Sequence, residues 1–498
     1  MTSEGSCSVC GKHATSKCSN CKLQFYCTKE HQREDWSRHK LICQAWEIHE
    51  NSELGRHLLA SRDLQPGDVI VSESPLVWGP ALHVVQRVCV GCGKPCTNYS
   101  TRCTMCLWPA CEMNCPGLTD KEKHGLECSL LVHAKLVPRC VMFYCSRVQL
   151  NVDIRRGCDV LLVIRMLILW RMKSKNWKAL EKLQSHEDAR GPGTEAFEEV
   201  MNISQHLERV LSGIPESRDL LGKICGWIDV NALETTPPEG SVAIYEIACL
   251  LEHSCLPNTR HSFELDNKGR PRITVTALSF IKKGDHLSTM YTHALWATTP
   301  RRAHLLDTKY FSCHCKRCAD PTEFGTHIGT LKCPQDNGYI LPKDPLNLET
   351  DWECDVCSGI LSYDEVADLT GKLEDEVDQV MHHPTQDTLK GLLSRLTALL
   401  HPGHQHCITV SLSLVQLLSS SDPNKSELCR RIIKTTTTLD PHGARLALYT
   451  AVALRELSTC PDEDTEGLLS EAFSLLEFEP PNSPGEKLRN VIQPELSS

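Results

Sequence analysis

Paired cysteines constrain the fold of this sequence more than any other feature. The chain has 29 cysteines among 498 residues, and many form Cys-x2-Cys pairs followed by Cys or His pairs four positions apart. The first residues, Met1 to Cys7, contain neither a basic cluster nor an apolar run, so no secretory signal is predicted. In the reducing cytosol or nucleus such pairs are typical of zinc ligands, whereas a secreted chain would use them as disulfides. We therefore predict an intracellular protein with several zinc sites.

Composition and charge narrow the class of protein further. The chain is 41% hydrophobic and 23% charged, which is typical of globular proteins, and its length predicts two or three domains. A net charge of −10 argues against bulk attraction to nucleic acid or to an acidic membrane. The most apolar stretch, Val160 to Trp170, contains Arg165 and is too short to span a bilayer, so a buried helix is expected there.

The first run of candidate ligands lies at the N-terminus. It comprises Cys7-x2-Cys10, Cys18-x2-Cys21, Cys27-x3-His31 and His39-x3-Cys43. Structural zinc takes four Cys or His ligands in a tetrahedron, and residues four apart lie on one face of a helix. We predict two interleaved sites, one held by Cys7, Cys10, Cys27 and His31 and the other by Cys18, Cys21, His39 and Cys43.

A second run repeats the same spacing downstream. It comprises Cys89-x2-Cys92, Cys103-x2-Cys106, Cys111-x3-Cys115 and His124-x3-Cys128. Buried free cysteines are common singly but do not recur as ordered pairs. We predict two more zinc sites, one held by Cys89, Cys92, Cys111 and Cys115 and the other by Cys103, Cys106, His124 and Cys128.

The segment from Cys27 to Cys43, with Trp36 between the His31 and His39 ligands, resembles a MYND zinc finger. The resemblance implies a module that binds proline-containing peptides of partner proteins. Basic side chains on this finger would also suit nucleic acid or an acidic partner, but no base-reading element is evident. A solvated basic face is the preferred interpretation, and direct nucleic-acid binding is not expected.

Strand and turn signals surround the second run. Gly55 to Leu64 leads into the turn Pro66-Gly67-Asp68, and far downstream Leu251 to Asn258 precedes a predicted hairpin turning at Asn267-Lys268-Gly269. Arg272 to Leu278 alternates as a strand does, and another strand is predicted to end at Tyr291. Three thiolates follow in Cys313-x1-Cys315-x2-Cys318.

Together these segments resemble a SET domain split by a MYND finger, as in the SMYD family of protein lysine methyltransferases. The additional N-terminal finger and the segment from Cys313 to Gly325 resemble the arthropod branch of that family. The resemblance implies an α+β fold with a β-rich SET domain and a C-terminal helical TPR-like domain. The implied domains are an N-terminal finger (1–46), the SET N-terminal part (50–88), a second finger (89–128), a helical insert (129–220), the SET core (221–300), a post-SET zinc region (301–358), the helical domain (359–478) and a disordered tail (479–498).

The resemblance also implies methyl transfer from S-adenosylmethionine to a histone or non-histone lysine. Tyr291 corresponds to the catalytic tyrosine, although an ordinary strand-end tyrosine is the alternative. A fifth zinc is implied at Cys255, Cys313, Cys315 and Cys318. The implied cofactor-binding residues are Gly55, Arg56, His57, Asn231, Glu252, His253, Tyr291 and Phe311.

Two of these positions depart from the family pattern. His57 replaces a glycine, which would let the backbone approach a ligand, and Glu252 replaces an asparagine, which can both donate and accept hydrogen bonds. The alternative function is therefore a catalytically weak or inactive SET scaffold whose MYND fingers recruit partners in transcriptional repression. We expect a monomer without membrane attachment, in the nucleus, the cytoplasm or both.

A last group of cysteines leaves two interpretations open. Cys333, Cys354 and Cys357 lack a fourth thiolate, and Asp336 stands where a Cys-x2-Cys partner would be expected. The group either binds zinc through the carboxylate or is an incomplete site. The scattered cysteines, such as Cys140, Cys158 and Cys249, are interpreted as core residues.

Overall fold

The computed structural model describes residues 5–19, 24–52, 54–80, 89–94, 96, 101–120, 124–133, 150–210, 218–236, 241–266, 268–443, 445–477, 479 and 483–496. The predicted zinc ligand Cys21, the predicted core residue Cys140 and the predicted turn residue Asn267 lie outside these ranges. The chain divides into two compact units. The first comprises 1–62, 68–251 and 261–276, and the second comprises 63–67, 252–260 and 277–498.

The N-terminal finger in the first unit consists of short strands and one helix. They are β1 (Gly5–Ser6), β2 (His13–Ala14), β3 (Ser16–Lys17), β4 (Phe25–Tyr26) and α1 (Lys29–Cys43). The hydroxyl of Thr28 caps α1 by accepting from the His31 N–H at 3.2 Å. The core of this finger is little more than Ala14, Tyr26 and buried cysteines, so metal ligation is needed to hold it.

Two strand pairs follow the finger. β5 (Trp46–Asn51) pairs antiparallel with β6 (Gly55–Ala60), and the chain continues into β7 (Val69–Glu73) and β8 (Val77–Pro80). The turn predicted at Pro66-Gly67-Asp68 is present because Gly67 adopts a φ of 85°, which few other residues tolerate.

The described residues of the implied insert are mainly helical. Its helices are α2 (His124–His133), α3 (Leu150–Arg171), α4 (Lys175–Leu180), α5 (Glu195–Val210) and α6 (Arg218–Asn231). Their apolar faces form the core of the first unit, where Trp177 and Trp227 meet edge to face with ring centroids 5.3 Å apart. α6 continues past the boundary predicted at 220. Among the described helices, none has the length and apolarity to cross a bilayer.

The strands that follow complete three small sheets. They are β9 (Leu233–Thr235), β10 (Ser241–Ile244), β11 (Glu252–His253), β12 (Thr259–Leu265), β13 (Pro271–Ala277) and β14 (Ser288–Thr289). The sheet orders are β8-β10-β9, β12-β13-β7 and β11-β14. The last pair is parallel and aligns Glu252 with Ser288 and His253 with Thr289, which places the residues after each strand side by side.

Two short helices and a small sheet continue the second unit. α7 (Thr298–Lys309) and α8 (Lys316–Ala319) precede the antiparallel strands β15 (Leu331–Lys332), β16 (Tyr339–Pro342), β17 (Trp352–Cys354) and β18 (Ile360–Leu361). The sequence did not predict this four-stranded sheet.

The C-terminal domain is an array of helices, which confirms the predicted α+β class. The helices are α9 (Tyr363–Met381), α10 (Gln386–Leu399), α11 (Gln405–Val415), α12 (Lys425–Leu439), α13 (Ala447–Ser458), α14 (Thr465–Leu475) and α15 (Pro484–Glu495). The disordered tail predicted from Glu479 is wrong over α15. That helix begins at a Ser483 cap and buries Ile492 against the preceding helices, so apolar burial outweighs its Pro-rich start.

Candidate functional site

The first predicted metal cluster is assembled in the N-terminal finger. The ligand atoms of Cys7, Cys10, Cys27 and His31 all lie within 4.8 Å of one another. The Cys10 and Cys27 sulfurs are 3.5 Å apart, and His31 Nδ1 lies 3.1 Å from Cys27 Sγ. Zn–S bonds of roughly 2.3 Å place two ligand sulfurs of a tetrahedral centre about 3.8 Å apart, and a sulfur and a nitrogen about 3.5 Å apart. The cluster therefore fits one zinc ion.

Two of the four ligands predicted for the second cluster also converge. The sulfurs of Cys18 and Cys43 are 3.6 Å apart, while Cys21 lies outside the described residues. His39 donates from Nδ1 to the Tyr26 hydroxyl at 2.6 Å, and that hydroxyl donates to Asp35 at 2.8 Å. This relay fixes the tautomer of His39 and leaves Nε2 for a metal.

The second finger contains both predicted tetrads. The sulfurs of Cys89 and Cys115 are 3.8 Å apart and those of Cys92 and Cys111 are 3.6 Å apart. A separate group comprises Cys103, Cys106, His124 and Cys128. All these separations match the edges of zinc tetrahedra and far exceed the roughly 2.05 Å of a disulfide.

A buried carboxylate orients the histidine of this second tetrad. His124 faces Cys106 Sγ through Nε2 at 3.2 Å, and its Nδ1 donates to Glu127 at 2.9 Å. Arg165 donates two further hydrogen bonds to Glu127, at 2.6 and 2.7 Å, and others to backbone carbonyls of the same unit. Burial raises the pKa of Glu127, but Arg165 and His124 outweigh burial and hold that pKa below its usual range. The arrangement fixes the ring for metal binding.

The fifth predicted cluster lies in the second unit. The ligand atoms of Cys255, Cys313, Cys315 and Cys318 lie within 4.8 Å of one another, with Cys255 Sγ and Cys318 Sγ 3.6 Å apart. The sulfur of Cys255 lies just after β11, whereas the other three sulfurs come from the segment at α8. One zinc ion would thus join two parts of the chain that are distant in sequence.

Two buried arginines accompany this cluster. Arg301 and Arg317 are both 0% exposed, and both donate to Glu323 Oε2, at 2.7 and 2.8 Å. Arg301 also lies 3.5 Å from Cys318 Sγ. Zinc with four thiolates carries a net charge of −2, so the guanidinium groups balance a charge that exists only when the sulfurs are ionised. This environment fits a bound metal.

The predicted residues His253, Tyr291 and Phe311 form one aromatic cluster beside the thiolates. His253 Nδ1 accepts from the Tyr291 N–H at 3.0 Å, while its Nε2 lies 3.3 Å from Cys255 Sγ. The His253 ring centroid is 5.2 Å from that of Tyr291 and 5.9 Å from that of Phe311. Burial lowers the pKa of His253 to about 4, so the neutral ring carries its proton on Nε2 and connects Tyr291 to the sulfur of Cys255.

Glu252 lies next to this cluster in sequence but has a partner of its own. Its Oε2 accepts from His286 Nδ1 at 2.8 Å, across the parallel pair β11 and β14. An amide at this position would offer a donor as well as an acceptor, which a carboxylate cannot.

The remaining predicted cofactor residues, Gly55, Arg56, His57 and Asn231, lie in the first unit. Gly55 adopts a φ of 64°, and a Cβ built there would have no atom within 4 Å. His57 is buried, and its Nδ1 lies 3.0 Å from the carbonyl oxygen of Gly55. The imidazole therefore leaves the space beside Gly55 open.

Arg56 and Asn231 meet at one loop. Arg56 donates to the carbonyl of Lys182, and Asn231 donates to that of Gln184 at 2.8 Å. Between them, Trp227 donates to the carbonyl of Leu183 at 3.0 Å. Three consecutive carbonyls thus accept from β6 and α6, which fixes the loop against both elements.

Sequence reasoning missed the residues that support the ligands. Glu127 follows the ligand His124 by three positions on one helix, which is a recognisable signal for a supporting carboxylate. Arg165 and Arg301 carried no such local signal, because their carboxylate partners lie 38 and 22 residues away in the sequence.

Comparison with known proteins adds independent information. A family model of the MYND finger matches residues 7–43, and one of the SET domain matches residues 55–292. SET domain-containing protein SmydA-8, isoform A, of Drosophila melanogaster is 28% identical over 332 residues, covering 65% of this chain and 67% of that protein. Histone-lysine N-methyltransferase ASHR1 of Arabidopsis thaliana is 24% identical over 350 residues, covering 67% and 68% respectively.

Two further similarities are more limited. Egl nine homolog 1 of Homo sapiens is 55% identical over 42 residues, which cover 8% of this chain and 10% of that protein. The crystal structure of the SET domain of LSMT bound to lysine and AdoHcy is 12% identical over 93% of this chain and 98% of that chain, with a TM-score of 0.28. That score is too low to place individual residues.

Proposed function

The chain belongs to the SET and MYND domain family, and on that premise we propose that it is a protein-lysine N-methyltransferase. The methyl donor would be S-adenosylmethionine, whose sulfonium makes the methyl group electrophilic. The acceptor would be a lysine of a histone or of another protein. The observation that carries the proposal is the cluster of His253, Tyr291 and Phe311, connected through Cys255 to the group of four cysteines.

The proposed chemistry is an in-line displacement. The lysine nitrogen bonds to the methyl carbon while the carbon–sulfur bond breaks and its electron pair stays on sulfur. Because a free lysine has a pKa of about 10.4, an apolar channel that disfavours the ammonium helps to supply the neutral amine. We assign Tyr291 the role of orienting that amine through its hydroxyl, which the hydrogen bond from its N–H to His253 helps to position.

The cofactor assignment is supported by the open space at Gly55. Its left-handed backbone and unfilled Cβ position leave room for a ligand next to the main chain. We assign Gly55, Arg56, His57, Asn231, Glu252, His253 and Phe311 to cofactor binding. Zinc would serve as a structural ion at Cys255, Cys313, Cys315 and Cys318, because four protein ligands leave no open position for chemistry.

A competing function is favoured by Glu252. Its carboxylate is paired with His286, and His57 replaces a second family glycine. If these changes prevent cofactor binding, the chain would be a zinc-braced scaffold that recruits partners, for example in transcriptional repression.

Calorimetry and a methyl-transfer assay separate the two functions. We expect S-adenosylmethionine to release heat on binding the purified chain, and a labelled methyl group to appear on proteins of a cell extract. Tyr291→Phe should lower methyl transfer on the order of a hundredfold while leaving cofactor binding intact. The matched control Tyr339→Phe, in the small sheet β15–β18, should leave methyl transfer unchanged. No heat at millimolar cofactor would exclude the methyltransferase function.

We also propose that the N-terminal finger docks proline-containing peptides. Trp36 on α1 is 45% exposed, an unusual position for a large aromatic ring, and it would supply an apolar contact for proline. Trp36→Ala should then weaken the binding of such peptides at least tenfold without loss of zinc.

We propose further that the chain acts as a monomer in the nucleus, the cytoplasm or both, without direct nucleic-acid binding. Light scattering would test the oligomeric state, and imaging of the tagged chain would test the localisation.

A further inference from the structure

Two turns of the same design face each other in the small sheet β15–β18. The first is Cys333-Pro-Gln-Asp336-Asn-Gly338, and the second is Cys354-Asp-Val-Cys357-Ser-Gly359. In each, the N–H of the first cysteine donates to the carbonyl of the glycine at 2.9 Å. The turns follow strands β15 and β17, so their tips meet at one end of the sheet.

The side chains at these tips converge on a single point. The sulfurs of Cys333 and Cys357 are 3.8 Å apart, and Cys354 Sγ lies 3.6 Å from Asp336 Oδ1. All four ligand atoms lie within 4.8 Å of one another. A tetrahedral zinc centre requires about 3.8 Å between two sulfurs and about 3.5 Å between a sulfur and a carboxylate oxygen. We propose that Cys333, Asp336, Cys354 and Cys357 bind a further structural zinc ion.

The backbone of both turns is arranged for charged ligands. The Gln335 N–H points at Cys333 Sγ at 3.5 Å, and the Val356 N–H points at Cys354 Sγ at 3.4 Å. Such N–H groups partly offset the charge of a thiolate. The Gly338 N–H donates to Asp336 Oδ1 at 2.6 Å, which orients the carboxylate toward the sulfurs.

The glycines of the two turns lie close against the ligand atoms. A Cβ at Gly338 would lie 2.7 Å from Cys354 Sγ and 2.8 Å from Asp336 Oδ1, and one at Gly359 would lie 3.2 Å from Cys357 Sγ. Both glycines therefore make room for the ligand atoms. A chance meeting of three cysteines would not need two glycines at equivalent positions.

The ligand set selects the ion. Three thiolates favour zinc over magnesium or calcium, which prefer oxygen ligands, and zinc accepts a carboxylate as the fourth ligand. Four protein ligands leave no open position, so the site is structural.

The zinc would secure the contact between the sheet and the helical domain. Leu331, Ile340 and Trp352 of the sheet belong to the same core as Leu396 and Leu400, and Leu331 forms a β-bridge with Leu400. Strands of two to four residues are too short to be stable alone. The ion would therefore fix the end of the sheet whose other residues support α10.

Zinc counting on the whole 498-residue chain tests this proposal. We expect Asp336→Ala and Cys354→Ser each to contain one zinc ion fewer per chain than the wild type, by elemental mass spectrometry. Asp351→Ala is the matched control, because Asp351 is an exposed acid of the same sheet region, and its zinc content should equal that of the wild type. Equal zinc contents for Asp336→Ala and the wild type would overturn the assignment of Asp336.

A second measurement does not depend on removing the ion. Asp336→Cys should keep the full zinc content, because it creates a four-thiolate centre. After cobalt substitution, its difference spectrum against the wild type should show added thiolate-to-cobalt charge transfer. An unchanged cobalt spectrum, or a disulfide between Cys333 and Cys357 in the freshly purified chain, would contradict the site.

Discussion

Glu127 is fully buried between a predicted zinc ligand and a cation, accepting hydrogen bonds from His124 and Arg165. Glu127→Gln would keep the shape of the side chain but remove its charge. Arg165 would then lack its buried counter-ion, which costs about 3 kcal/mol of folding free energy. Because the supporting carboxylate also raises the basicity of the ligand, zinc affinity should fall roughly tenfold to a hundredfold. Chelator competition and urea unfolding measure the two effects.

The exposed Glu112 of the same finger provides the control for this prediction. Glu112→Gln should change neither zinc affinity nor the free energy of unfolding by more than about 0.5 kcal/mol. If Glu127→Gln behaved in the same way, the hydrogen bond to His124 would have no role in metal binding.

At the residue scale, the sequence predicted the zinc ligands better than the residues that hydrogen-bond to those ligands or balance their charge. The assignment of Cys7 and His31 to one zinc site, and of Cys103 and His124 to another, followed from their spacing. Cys-x2-Cys turns and helical turns bring ligands together from short stretches of sequence. The partners of Glu252 and of the buried Arg301 depend on contacts between distant segments. No period or motif in the sequence encodes those contacts.

His404 makes the start of helix α11 sensitive to acid. It is buried, and its Nδ1 caps the helix by accepting from the His406 N–H at 3.2 Å. Burial, together with neighbouring His406 and His401, lowers the pKa of His404 well below its usual range. The unfolded chain therefore binds a proton at higher pH than the folded chain does. Protonation of His404 in the unfolded chain should by itself lower the free energy of unfolding by about 1.4 kcal/mol for each pH unit below about 6.5.

His404→Asn tests this dependence. Asparagine keeps a capping oxygen but does not titrate, so the loss of stability between pH 6 and pH 5 should shrink by about 1.4 kcal/mol. Urea unfolding at several pH values measures the slope, and substitution of the exposed His442 by Asn is the control. An unchanged slope for His404→Asn would show that protonation of His404 does not oppose folding.

The C-terminal helix α15 should contribute to stability. Ile492 is 0% exposed and Val491 on the same helix is 46% exposed. Ile492→Ala should lower the free energy of unfolding by about 2–4 kcal/mol, whereas Val491→Ala should lower it by at most about 0.5 kcal/mol. Urea unfolding compares the two variants, and equal effects would mean that α15 is not docked in solution.

At the element scale, long amphipathic helices were predictable and short strands were not. Leu389, Leu392 and Leu396 are buried on α10, and their spacing of three and four residues is typical of one face of a helix. The strands β15–β18 have two to four residues, which is too few to show alternation. In α15, Leu488, Ile492 and Leu496 are spaced as on one face of a helix. The surrounding prolines and serines nevertheless led to the prediction of a disordered tail.

At the scale of the whole molecule, we expect the zinc ions to leave in two phases. Cys10 and Cys357 are exposed ligands of the first finger and of the small sheet, whereas Cys255 and Cys318 are buried. A chelator should therefore remove zinc from the exposed sites first. Zinc release followed with a colorimetric chelator, together with residual methyl transfer, measures both processes.

Methyl transfer should follow the slow phase of this release. We expect this because His253 contacts both Cys255 of the buried cluster and the backbone of Tyr291. Loss of methyl transfer during the fast phase would show that activity depends on the exposed sites.

The buried arginines beside the Cys255 centre bear on how the chain matures in the cell. Arg301 contacts the sulfur of Cys318 and shares Glu323 with Arg317, and the first cysteine of this cluster, Cys255, is synthesised well before the other three. Without zinc, the thiolates would protonate and leave two cations buried against the single charge of Glu323. We therefore expect newly made chains to wait for zinc before this region closes. The cellular zinc supply would then determine what fraction of the chains matures. The remaining chains would stay bound to chaperones or be degraded by proteases.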